Sequence, residues 1–186
     1  MHPGINGPKL KDKPAIIMAG SGDIISHQEL NELSNQGAQL FRSLGLKPGD
    51  SLAFMMENHK LFFPIAFAAY RSGLKYTAIS WRLQASEVEY IVKDCGAKVF
   101  ITSKFLEESA KSLVNSLEGV HKFMLDGITD DFKSYETEIN NMPVTPIDDE
   151  CQGAAMLYSS GTTGKPKGVS REVNLSPLPY KAEEDD

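Results

Sequence analysis

The sequence predicts an α/β fold, with strands and helices alternating around a mostly parallel sheet. Short apolar runs recur between amphipathic stretches, and glycine or proline punctuates most of the junctions. The composition agrees: 41% apolar and 24% charged residues are ordinary for a soluble globular chain. At 186 residues such a chain can bury roughly 70% of its unfolded surface, enough for a sizeable core.

Taken in order, strands are expected at Ala15 to Met18 and Asp23 to Ser26. Ser26-His27-Gln28-Glu29 fits a capping box, which opens a helix with Leu30, Leu33, Ala38 and Phe41 on one apolar stripe and Gly45 at its end. Pro48-Gly49-Asp50 makes a turn into a strand at Ser51 to Met56. Asn58 is the expected cap of the next helix, and the run Leu61 to Tyr70 is apolar on every side, so as a helix it needs cover on several sides. Pro64 falls in its first turns, where proline is tolerated, and Gly73 ends it. A strand at Lys75 to Ser80, a helix near Ser86 to Asp94 and a strand at Lys98 to Thr102 continue the rhythm, with Gly96 between the last two. Lys104 to Leu117 reads as one amphipathic helix and His121 to Leu125 as a strand. The polar stretch 126–150 reads as a connection in which Pro143 and Pro146 break regular structure. An apolar run at Gly153 to Tyr158 and a strand over Gly168 to Val173 follow.

Charge and composition exclude several classes. The net charge is −6 and the lysines are scattered, so no nucleic-acid partner is expected. Lys9, Lys11 and Lys13 sit in a leader, residues 1–13, that reads as a solvated tail, and residues 174–186, with Pro177, Pro179 and an acidic end, read as a frayed one. Two cysteines, Cys95 and Cys151, with no recognisable secretory leader imply free thiols in a reducing, cytoplasmic setting. No run is long enough for a transmembrane segment. Four dispersed histidines, at 2, 27, 59 and 121, show no metal-ligand spacing. Trp81 and Arg82 follow a strand, and a packing role in the interior or at an interface suits them best.

The chemistry concentrates in Ser159-Ser160-Gly161-Thr162-Thr163-Gly164-Lys165-Pro166-Lys167-Gly168. Four hydroxyl residues, three glycines and two lysines fall within ten positions. Gly161 and Gly164 let successive backbone N–H groups turn toward one concavity, an anion nest. Hydroxyls of Ser159, Ser160, Thr162 and Thr163 can donate to phosphate oxygens, each charge-assisted bond being worth roughly 1.5–3 kcal/mol. Lys165 and Lys167 offset the gathered negative charge. The Walker-type loop does not fit, because the position that would carry its second glycine is Pro166, and the residues after it read as a strand and not a long helix. A flexible linker of similar composition has no need of the Lys-Pro-Lys-Gly ending or of apolar strands on both sides.

The run Tyr158 to Gly168 resembles the signature loop of the adenylate-forming (AMP-binding) superfamily, which includes acyl-CoA synthetases, aryl-CoA ligases, luciferases and peptide-synthetase adenylation domains. Leu46 to Asp50, the apolar helix up to Gly73, and Trp81-Arg82-Leu83 through Glu87 to Gly96 resemble the early part of fatty acyl-CoA synthetases. The similarity reaches to about Glu172. It implies a single, incomplete amino-terminal portion of the adenylate-forming fold over residues 1–186. It also implies a two-step reaction: a carboxylic acid attacks the α-phosphorus of ATP to give acyl-adenylate and pyrophosphate, then coenzyme A (CoA) displaces AMP, with Mg2+ accompanying the nucleotide. By position, Ser159, Ser160, Thr162 and Thr163 become phosphate ligands, Gly161 and Gly164 the backbone cradle, and Lys167 the motif's lysine, with Lys165 at a variable position. Family members continue for several hundred residues past this loop, so the chain is expected to be inactive alone. An unfinished core would expose apolar surface that favours self-association or pairing with another ligase chain.

Overall fold

The computed structural model describes residues 2–159 and 166–178. Pro3–Leu10 forms helix α1, and Pro14–Ile17 (β1) pairs antiparallel with Ile24–Ser26 (β2). Helix α2 runs over His27–Ser43, β3 over Ser51–Met55, α3 over Phe62–Arg71, β4 over Lys75–Ile79, α4 over Ala85–Asp94 and β5 over Ala97–Ser103. Then come α5 (Glu107–Leu113), β6 (His121–Leu125), β7 (Lys133–Ser134), α6 (Tyr135–Asn140), β8 (Cys151–Gln152), β9 (Ala154–Ser159), β10 (Lys167–Ser170) and β11 (Asn174–Pro177).

One seven-stranded sheet has the order β10-β9-β4-β3-β5-β6-β7, parallel throughout except for the antiparallel β9–β10 hairpin. Alternation along each strand sorts the core into two layers. Leu52 and Phe54 of β3, Val99 and Ile101 of β5, and Phe123 and Leu125 of β6 face α2, α3 and α6. Ala53, Met55, Phe100 and Met124 face α4 and α5 on the other side. With helices on both faces, the central strand β3 is buried at all five residues.

The local signals behave as their chemistry requires. Glu29 donates its backbone N–H to Ser26 Oγ at 3.1 Å, and its side chain accepts the Ser26 N–H at 2.7 Å, which closes the capping box of α2. Gly45 ends that helix at φ +82°, and Gly73 ends α3 at φ +66°. Helix α3 is the covered apolar helix the sequence requires. It lies between α2 and the sheet with Ile65, Ala66, Ala68 and Ala69 buried, and a Cβ on Gly37 of α2 would stand 2.7 Å from Ala68 Cβ.

Several expectations are corrected. The cap of α3 is not Asn58: Leu61 is the N-cap and no side chain caps the helix, while the Leu61 N–H itself donates to His59 Nδ1 at 3.1 Å. Residues 3–10 are not a solvated tail. Gly7 brings α1 so near α2 that a Cβ there would lie 2.8 Å from Asn31 Cβ, while Lys9, Lys11 and Lys13 stay exposed on the outside. Helix α5 is shorter than 104–117 and is flanked by 3-10 turns. Ser112 and Ser116 donate back to the carbonyls of Ser109 and Leu113, competing with the helical ladder.

The connection 126–150 also holds regular structure, β7 and α6, with Ser134 Oγ accepting from the Thr137 N–H as cap. Beyond α6 it is strapped to α2: Asn35 donates to the Val144 carbonyl, Gln36 to that of Met142 and Gln39 to that of Thr145. A buried ion pair, Arg71 Nε to Glu150 Oε1 at 2.5 Å, closes the seam, and the same guanidinium donates to Asn31 and Ser34. Residues 174–177, read as frayed, pair with β8, and Leu178 behind them is buried. Residues 179–186 lie outside the described residues.

Candidate functional site

The antiparallel register of β9 and β10 pairs Lys167 with Ser159, Gly168 with Tyr158, Val169 with Leu157 and Ser170 with Met156. Cross-strand partners share a face, so Ser159 and Lys167 lie on one side with Leu157 and Val169, while Tyr158 and Gly168 turn to the other, toward α4. The two ends of the predicted phosphate loop therefore stand side by side. Because β9 is parallel to β4, they do so at the carboxyl edge of the sheet, the edge at which open α/β folds bind ligands. Of the residues assigned from the sequence, Ser159 and Lys167 are described, and both are exposed. Ser160, Gly161, Thr162, Thr163, Gly164 and Lys165 lie outside the described residues.

The root of this hairpin is closely built. A Cβ on Gly168 would lie 2.9 Å from Tyr158 Cζ and would overlap Met156 Cε, so glycine lets the tyrosine ring settle across β10 without either side chain shifting. The Tyr158 hydroxyl donates to Asp94 Oδ2 at 2.5 Å, at the last residue of α4. Burial, and then this bond to a carboxylate, raise the Tyr158 pKa well above the usual tyrosine range. Sequence reasoning singled out the loop and passed over this support. Tyr158 precedes the first loop hydroxyl directly, but its partner is 64 residues away.

On the face of the hairpin away from α4, Leu157 and Val169 are each about two-thirds exposed, as is Leu175 of β11. Leu157 and Val169 border a groove of ≈ 470 Å³ whose lining includes Tyr70, Gln152, Ala155 and Arg171. Other carboxyl-edge side chains satisfy one another. Ser103 Oγ donates to Glu57 Oε2. His59, whose Nδ1 accepts from Leu61, presents Nε2 to Asp126 Oδ2 at 3.0 Å. Trp81 is not interior: 40% exposed, it packs edge-on against Phe105 beneath the Arg82 guanidinium. Both cysteines are free thiols and buried. Among the described residues no group of three or more His, Cys, Asp or Glu side chains is placed to hold a metal, and no helix is long and apolar enough to cross a membrane.

Solved structures match this fold. The anthranilate CoA ligase AuaEII, solved with anthranoyl-AMP, superposes with a TM-score of 0.81 at 22% identity, over 91% of this chain and 33% of that one. The N-terminal domain of FACL13 from Mycobacterium tuberculosis gives 0.74 at 24% identity, over 91% and 42%. The sequence model of the AMP-binding enzyme family matches residues 6–174, and the chain belongs to that family. Among curated relatives, a fatty acid–[acyl-carrier-protein] ligase of Streptomyces coeruleorubidus is 29% identical over 161 residues, 84% of this chain and 29% of the relative. A feruloyl-CoA synthase of an Amycolatopsis species is 30% identical over 156 residues, 83% and 30%. The chain thus spans under a third of the length of these two relatives.

Proposed function

We propose that this chain is the amino-terminal, phosphate-loop part of an ATP-dependent, AMP-forming carboxylic acid:CoA ligase. The observation that carries the reading is the register that sets Ser159 beside Lys167 at the carboxyl edge of the sheet. In the whole enzyme a carboxylate oxygen attacks the α-phosphorus of ATP and pyrophosphate leaves with the broken P–O bond. The thiol of CoA then displaces AMP from the acyl-adenylate. The loop from Ser159 to Lys167, through Ser160, Gly161, Thr162, Thr163, Gly164 and Lys165, holds the β- and γ-phosphates where negative charge builds on the leaving group. Mg2+ accompanies the nucleotide. Two buried free thiols suit a cytoplasmic setting.

Alone, the chain completes neither step. Three or four loop bonds give a gross attraction of about 5–12 kcal/mol, much of it offset by ordering the loop and by lost translational freedom. Affinity for a triphosphate is therefore on the order of millimolar. Phosphorus NMR titration of the 186-residue chain tests this. ATP and tripolyphosphate should perturb it equally and weakly, and Lys167→Ala should abolish both responses. Binding of ATP far tighter than tripolyphosphate, or carboxylate-stimulated pyrophosphate exchange by this chain, would overturn the assignment of a phosphate-only, inactive part.

A second reading is a non-catalytic module that pairs with another ligase chain. The exposed Leu157, Val169 and Leu175 favour it. The apolar helix α3 lends it little support, because most of its residues are buried within the chain. A monodisperse monomer by light scattering, with no dye-accessible apolar surface, counts against it.

A further inference from the structure

The loop-bearing hairpin is joined to the rest of the sheet by little backbone. Strand β9 registers with β4 at two positions, Lys75 with Ala154 and Tyr76 with Ala155, and then runs on from Met156 to Ser159 with β10 as its ladder partner. All four residues of β10 are exposed. A two-stranded ribbon extending past its sheet twists and swings easily. Something else must set the angle at which Ser159 and Lys167 are presented.

The Tyr158 side chain has the geometry to do so. Its ring is packed against Gly168 directly across the ladder, so it moves with both strands. Its hydroxyl reaches across to Asp94, whose other oxygen faces Tyr90 Oη at 3.5 Å. Asp94 closes a helix held in the core by Val88, Ile91 and Val92. The contact is thus between the residue before the first loop hydroxyl, the glycine after Lys167, and a fixed point on the covered face.

We infer that Tyr158 is a positioning residue: its bond to Asp94 fixes the root of the hairpin and thereby aims Ser159 and Lys167 at a polyphosphate. The aiming half rests on the phosphate-loop reading; the fixing half stands on geometry alone.

Tyr158→Phe keeps the ring on Gly168 and removes only the hydroxyl. Asp94→Ala removes the acceptor, and Asp94→Asn restores a neutral one. Hydrogen exchange is measured on the intact chain, with tripolyphosphate as the phosphorus-NMR probe. Tyr158→Phe and Asp94→Ala should speed exchange of the hairpin amides roughly tenfold and leave β3 and β5 unchanged, with Asp94→Asn near the parent. The tripolyphosphate response should weaken roughly several-fold in the same two variants and recover in Asp94→Asn. Unchanged hairpin exchange in Tyr158→Phe overturns the inference, and so does faster exchange spread evenly over the sheet. Loosened amides with an undiminished tripolyphosphate response overturn the aiming role. A parent chain that never responds to tripolyphosphate sinks the phosphate reading instead, while the exchange data still decide whether Tyr158 holds the root.

Discussion

Strands β3 and β10 lie three places apart in one sheet, yet all five residues of β3 are buried and all four of β10 are exposed. Composition contributes, since β10 has only Val169 where β3 has four apolar side chains in five, and so does what surrounds them. β3 has a parallel neighbour on each side and helices on each face, α2 and α3 over Leu52 and Phe54, α4 and α5 over Ala53 and Met55. β10 has β9 beside it, and Val169 with its cross-strand partner Leu157 faces solvent. The molecule is therefore a closed α/β/α body carrying an open hairpin. Binding segments commonly belong to such weakly fastened parts, because they must adapt without unfolding the whole.

The sharpest break would come at the seam of the closed body. Arg71→Ala removes the buried ion pair with Glu150 and cuts α3 from Asn31 and Ser34. A loss of about 3–5 kcal/mol is expected from denaturant midpoints, and a loss under about 1 kcal/mol would show that the connection 141–150 is not integral to that body. Next, the same truncation can be made in both regions. Leu52→Ala, at a fully buried site, should cost about 2–5 kcal/mol, and Leu157→Ala, 64% exposed, less than about 0.5 kcal/mol. Equal losses would abolish the distinction.

A third test uses acid. Burial, and then the nearby Arg71 charge, lower the His2 pKa from 6.5 to about 3, so the folded chain keeps this ring neutral. Between those values unfolding takes up a proton; the stabilisation is complete above about pH 6.5 and is lost toward pH 3, at most about 1.4 kcal/mol per pH unit. Thermal unfolding followed across that window should show His2→Gln losing less than the parent. At the alkaline end the sign reverses for Tyr135 and Tyr158. Both hydroxyls are raised chiefly by burial, so their contribution is lost as pH climbs through and beyond about 10.

Much of the closed body could be read from neighbours in the chain. Ser26 and Glu29 are three residues apart, and their reciprocal bonds need nothing else. Short, near-continuous apolar runs marked β3, β5 and β6, because a strand with helices over both faces needs apolar side chains on both. Where distant groups decide, the reading failed. Lysines at 9, 11 and 13 suggested a solvated leader, but Gly7 packs on Asn31, and no local pattern reports that contact. Pro143 and Pro146 suggested a featureless connection, whereas a serine cap just upstream starts α6 and carbonyls further on are held by amides of α2. For the candidate site, the Ser/Gly/Thr/Lys composition was legible because phosphate binding demands donors and backbone freedom in one short stretch.

The sequence by itself determined the run of strands and helices from β3 to β6, the capping box of α2 and the chemical character of the loop, since each depends on residues close to one another along the chain. Tertiary structure alone decided which strand stands in the middle, that Ser159 and Lys167 are neighbours on one face, and that Tyr158 meets Asp94. The first and last join points far apart along the chain, brought together by the packing of helices onto the sheet, while Ser159 meets Lys167 through the β9–β10 ladder.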